Sequence, residues 1–114
     1  MNQSSVYRRY PFLSELGSAR RRDRKMMIDY INPDQMEAIS VVARHIVEFK
    51  IPIMERDYDH FQEKRRTLRI IAGSQIPFRR KRQVLLNHHK ILPRLLREFY
   101  LRHTIRQEMR SREE

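Results

Sequence analysis

The stretch Asn32-Pro33-Asp34-Gln35-Met36-Glu37-Ala38-Ile39-Ser40-Val41-Val42-Ala43-Arg44-His45-Ile46-Val47-Glu48-Phe49-Lys50 reads as an α-helix with its start written in. Asn32 is a good N-cap, Pro33 falls at N1 where its missing N–H loses nothing, and Asp34 suits the positive end of the helix dipole. From there Met36, Ile39, Ala43, Ile46 and Val47 fall on one stripe at spacings of three and four, with Val42 and Phe49 at its edges. The helix should run to about Lys50, where Ile51-Pro52-Ile53 stops it.

Working outward toward the N-terminus, residues 1–13 mix Ser, Asn and Gln with Tyr7, Tyr10 and Phe12 without a period. Pro11 discourages helix, so this segment is expected to be an irregular arm, with Arg8 and Arg9 free to meet phosphate. A first helix is expected from near Ser14, with Glu15 just inside it; Gly17 weakens that opening and makes Ser18 a competing start. Met26, Met27 and Tyr30 are its expected apolar side, with Arg20, Arg21, Arg22, Arg24 and Lys25 outside.

Toward the C-terminus a third helix is expected from roughly Met54 to Ala72. Met54, Tyr58, Phe61, Leu68 and Ala72 recur at helical spacings, and Arg65 fills the gap. Gly73 is a natural C′ residue, and Ser74 to Pro77 form the connection. A fourth helix begins at Pro77 or Phe78 and carries Phe78, Val84, Leu85, His88 and Leu92. At Pro93 it must kink or restart. Leu95, Leu96, Phe99, Tyr100 and Ile105 continue an apolar face, while Arg102, Arg106 and Arg110 lie four apart on another.

Composition supports the same fold class. A chain of 114 residues is one domain, and 39% hydrophobic residues can bury a small core. Two glycines and five prolines are too few for the turns of a sandwich or barrel. The expectation is therefore all-α: a small bundle of four to five helices over 14–110, an irregular arm at 1–13, a protruding last helix and a tail at 111–114. No stretch approaches the roughly 18–20 apolar residues of a membrane span, and no secretory signal is expected.

Charge is high and segregated. The net charge is +11, with 25 Lys+Arg against 14 Asp+Glu. Residues 1–28 carry +5, residues 29–63 carry −5, residues 64–112 carry +13, and Glu113 with Glu114 carry −2. The densest part is Glu63 to Leu92, where two cation-rich stretches flank Gly73-Ser74-Gln75-Ile76-Pro77. Its basic constellation is Lys64, Arg65, Arg66 and Arg69, then Arg79, Arg80, Lys81 and Arg82, then Lys90, Arg94, Arg97 and Arg102. Four successive cations repel one another by several tenths of a kcal/mol per close pair, so they are best tolerated where anions neutralise them. Arginine outnumbers lysine there, which suits bidentate phosphate contact. The basic edge is thus expected to meet a nucleic-acid backbone without reading bases. A solvated charged face is the plainer reading of any such run.

Other chemistry finds little support. Cysteine is absent, which removes disulfides, thiolate catalysis and zinc fingers. Glu55-Arg56-Asp57-Tyr58-Asp59-His60 contains metal-ligating types, but on a helix Asp57 and Asp59 diverge, and an acidic first turn explains them. There is no P-loop, dinucleotide turn, nucleophile elbow or HExxH pattern. No catalytic residue, metal site or cofactor is expected. The Met and aromatic positions (Met36, Met54, Tyr58, Phe61, Phe78, Phe99, Tyr100) read as core, and the surplus apolar face of 91–109 as an assembly or homo-oligomer surface.

Several short motifs carry a resemblance: Arg24-Lys25-Met26-Met27-Ile28, Ile31-Asn32-Pro33-Asp34, Ile51-Pro52-Ile53, Glu63-Lys64-Arg65-Arg66-Thr67-Leu68-Arg69, and Ile76-Pro77-Phe78-Arg79-Arg80-Lys81-Arg82-Gln83-Val84-Leu85. Their order resembles small basic late proteins of Maverick/Polinton-type elements and adenovirus-like DNA viruses, over about two thirds of the chain. That group continues with Gly-Gly-Phe and an apolar tail, where this chain has Asn87-His88-His89 and a charged helix. The resemblance implies a virion-core, DNA-associated or minor capsid role in the virion or host nucleus, with Lys64, Arg65, Arg66, Arg69 and Arg79 to Arg82 as phosphate contacts. The alternative is a helical structural subunit of a larger, organellar assembly that contacts protein or ribosomal RNA.

Overall fold

The computed structural model describes residues 10–48, 59 and 61–97. Helices follow one another as α1 (Tyr10–Ser18), α2 (Arg21–Asp29), α3 (Pro33–Val47), α4 (Arg65–Ala72) and α5 (Phe78–Asn87). A 3-10 turn, His89–Ile91, leads from α5 into a helical segment over 92–97. Among the described residues there is no strand, so the fold is an all-α bundle as the sequence implies.

The bundle is assembled around α3. Asn32 Oδ1 accepts from the Gln35 N–H at 2.8 Å, and the Asn32 N–H donates to Gln35 Oε1 at 3.0 Å. This capping box satisfies two backbone donors at once and fixes the first turn. Met36, Ile39, Ala43 and Ile46 are buried, as the stripe requires, but so are Ala38, Ser40, Val41 and Val42. A helix apolar nearly all round has to be surrounded by other helices. α4 packs against α3 along its length. The Arg44 guanidinium of α3 donates to the Ala72 carbonyl from Nε (3.2 Å) and Nη2 (2.9 Å). That bond satisfies an orphan carbonyl and places a cation at the negative end of α4.

Several expectations need correction. Tyr10–Leu13 are not arm but the first turn of α1. Pro11 is harmless there because first-turn N–H groups have no intrahelical acceptor, and Leu13 and Leu16 are fully buried. The first long helix is two helices, separated at Ala19 and Arg20, where Arg20 is extended (φ −69°, ψ 160°). The inward side of α2 is Arg24 and Ile28, whereas Met26 is 51% and Tyr30 83% exposed. The expected continuous third helix is interrupted by a turn at Lys64. His88 ends α5 at φ −131° and faces solvent; the 3-10 turn shifts the phase, so His89, Ile91, Leu92, Leu95 and Leu96 face inward.

Both glycines sit at close approaches. Gly73 caps α4 with φ −64°, not in the left-handed region, and a Cβ there would stand 2.7 Å from Ile76 Cγ1. At Gly17 a Cβ would stand 3.1 Å from the Leu96 Cβ, so α1 lies directly on 92–97. Arg8 and Arg9, Phe49 and the Ile51-Pro52-Ile53 stop, Met54, Asp57, Tyr58 and His60, Phe99, Tyr100, most of the 91–109 surface and the 111–114 tail lie outside the described residues.

Candidate nucleic-acid interface

On α4 the inward residues are Leu68, Ile71 and Ala72, and the outward ones include Arg65, Arg66 and Arg69. The three arginines are therefore held on a short helix whose other side is core. Lys64, at the turn before it, is half-buried. After the five-residue connection 73–77, α5 presents Arg79 and Arg80 to solvent and keeps Arg82 half-buried. Lys90, Arg94 and Arg97 are exposed farther on, and Arg102 lies outside the described residues.

Lys81 departs from the expected edge. It is 5% exposed, and its Nζ donates to the Ser40 Oγ at 2.8 Å. Four consecutive helical residues sweep most of the circumference, so the run Arg79 to Arg82 cannot lie on one side. Lys81 shares its side with Leu85, four residues on, which is fully buried. Burial pushes the Lys81 ammonium below its ordinary range; Glu37 opposes this and Arg44 adds to it. Lys81 belongs to the interior, not to the basic edge.

The interior also holds Arg24, which the sequence reading puts outside, and His89. Arg24 is 8% and His89 4% exposed. The Arg24 Nε–H donates to His89 Nδ1 at 3.1 Å, and Nη1 donates to the Ala19 carbonyl at 3.2 Å. Because Nδ1 accepts, the imidazole is neutral, with its proton on Nε2. Burial is the main cause that lowers its proton affinity, followed by Arg24, Lys25, Arg21 and Lys90. Burial also lowers that of Arg24, with a smaller effect of Arg21. The available signal was spacing: Arg24, Ile28 and Ile31 stand at i, i+4 and i+7.

Among the described residues, no group of three or more His, Asp or Glu could hold a metal ion, and no helix is long and apolar enough to cross a membrane. No protein-family model, curated protein or solved structure matches the chain.

Proposed function

We propose that this protein is a non-enzymatic nucleic-acid-binding protein that neutralises backbone phosphates through Arg65, Arg66 and Arg69 of α4 and Arg79 and Arg80 of α5. The observation that carries the reading is the two-sidedness of these helices. Their apolar sides are sunk in the core, and five arginines stand exposed on their outer sides. Guanidinium groups on rigid helices lose little backbone freedom on contact, and their planar donors match phosphate oxygens. Arg82, Lys64, Lys90 and Arg94 extend the basic surface, and the net charge of +11 adds long-range attraction. Such a protein fits a compact nucleoprotein, such as a viral or mobile-element core, where phosphate charge must be screened regardless of sequence.

The test is fluorescence anisotropy with random-sequence duplex DNA at about 50 and 200 mM salt. Five phosphate contacts give a log–log slope near −4.5, so a fourfold rise in salt lowers affinity about 500-fold. The double variant Arg79→Gln/Arg80→Gln leaves three contacts and a fall of about 40-fold. Weak binding at both salts, or an unchanged slope in the variant, overturns the proposal and moves the search to protein partners.

A further inference from the structure

A second cationic locus overlaps the extended basic surface only at Lys90. Arg21, Arg24 and Lys25 stand at i, i+3 and i+4 on one side of α2, and the 3-10 turn carrying His89 and Lys90 packs against that helix. Arg21, Arg24, Lys25 and Lys90 all lie close enough to the His89 imidazole to act on it. Asp29, four residues after Lys25, is the carboxylate on that side of α2. Asp23 lies two residues from both Arg21 and Lys25, on another side of the helix.

Buried cations are ordinarily paired, and buried donors are ordinarily bonded. Arg24 spends Nε and Nη1 on His89 and Ala19, and its Nη2 has no acceptor among the described residues. Nor has the His89 Nε2–H. The N-terminus of α2 is also uncapped, since the Arg20 side chain makes no cap hydrogen bond. Orphan backbone donors, an incompletely bonded buried guanidinium and three exposed cations thus meet at one place. A single carboxylate would leave most of this charge and most of these donors unanswered. A tetrahedral oxyanion with several acceptor oxygens and more than one negative charge answers both.

We propose that Arg21, Arg24, Lys25 and Lys90, with the first turn of α2, form a binding site for a phosphate group, with His89 beneath it. The site shares no residue with the five-arginine edge and does not rest on the DNA-binding reading. Arg24 anchors the anion from the interior, and Arg21, Lys25 and Lys90 close over it.

The experiment follows the His89 ring and the α2 amides by NMR in the full chain. Inorganic phosphate is titrated against chloride at matched ionic strength, with a short single-stranded oligonucleotide as a second arm. Saturable shifts at His89 and at the amides of 21–23 are expected. Arg21→Gln/Lys90→Gln, both at exposed positions, should weaken binding about tenfold or more, the loss expected for charge-assisted hydrogen bonds. Arg65→Gln/Arg66→Gln should leave it unchanged. A response to inorganic phosphate assigns the site to free phosphate; a response to the oligonucleotide alone assigns it to the phosphodiester backbone. No response at His89 to either probe, or an equal response in Arg21→Gln/Lys90→Gln, overturns the site.

Discussion

Replacing Lys81 by Met, together with Ser40→Ala, separates an internal lysine from a phosphate contact. The Lys81 ammonium is withdrawn from water to 5% exposure, and its hydrogen-bond partner among the described residues is the neutral Ser40 hydroxyl, at 2.8 Å. Glu37 offsets part of the desolvation and Arg44 works against it. Met has nearly the length of the lysine stem, and Ala removes the hydroxyl that would otherwise be stranded. Exchanging buried charge for apolar side chains of similar volume is commonly neutral or stabilises by about 1–4 kcal/mol. At a urea m-value of about 1–2 kcal/mol/M, a gain of about 2 kcal/mol moves the unfolding midpoint by about 1–2 M. Lys81→Met alone should gain less, because an unpaired buried hydroxyl costs about 1–3 kcal/mol. The pH dependence gives a second check. The folded-state proton affinity of Lys81 is lowered, so over the alkaline range the unfolded chain binds the extra proton. Wild-type stability therefore rises as pH climbs through the folded value toward 10.5, and the double variant lacks that rise. DNA affinity and its salt slope should stay as in wild type. A loss of stability beyond about 1 kcal/mol, or a salt slope lower by about one contact, would refute the reasoning.

Two other outcomes follow from the fold. Asn32→Ala removes the Oδ1 acceptor of the α3 capping box, keeping only the backbone N–H to Gln35 Oε1, and should lower stability by about 1 kcal/mol, read from a denaturant midpoint; Asn32→Ser should recover most of it. His89 has a lowered proton affinity in the fold, so the unfolded chain takes up its proton first as pH falls below 6.5. Stability is therefore full above that value, declines as pH falls toward the folded value, and levels off below it. His89→Asn, which keeps an acceptor for Arg24, should flatten that part of the profile; an equal decline in both proteins would place the cause in other groups.

What was legible in the sequence was whatever local rules decide. The α3 start at Asn32-Pro33, its apolar stripe, the break at Gly73–Pro77 and the all-α class rest on caps, periodicity and turn chemistry, which act within a turn or two; at Pro93, where a kink or restart is expected, the helical segment 92–97 runs through, and the break falls earlier, after Asn87. The burial of Arg24, Lys81 and His89 was less accessible, because charge suggested solvent while helical phase demanded the interior. At Lys81 the phase is readable from Leu85, although four successive cations suggest a single exposed edge. His89 replaced His88 on the inner side because the 3-10 turn breaks the period, and no residue in Asn87-His88-His89-Lys90 announces that turn. Pro11 was read as a helix breaker when its place in the first turn made it neutral. The capping box was present in Asn32-x-x-Gln35, although only its first half was used.

The contact of Gly17 with Leu96 bears on how the chain reaches its fold during synthesis. α1 leaves the ribosome before the other described helices, but the Leu96 side chain against its Gly17 belongs to the last described helical turn. Until Leu96 has emerged, Gly17 lacks this neighbour, so that face of the first helix must wait for nearly the whole described sequence. Such a contact closes late, because the entropy of joining distant segments is met before their packing can repay it. α1 and the segment 92–97 are then secured together, and loosening either uncovers the face of the other at that contact.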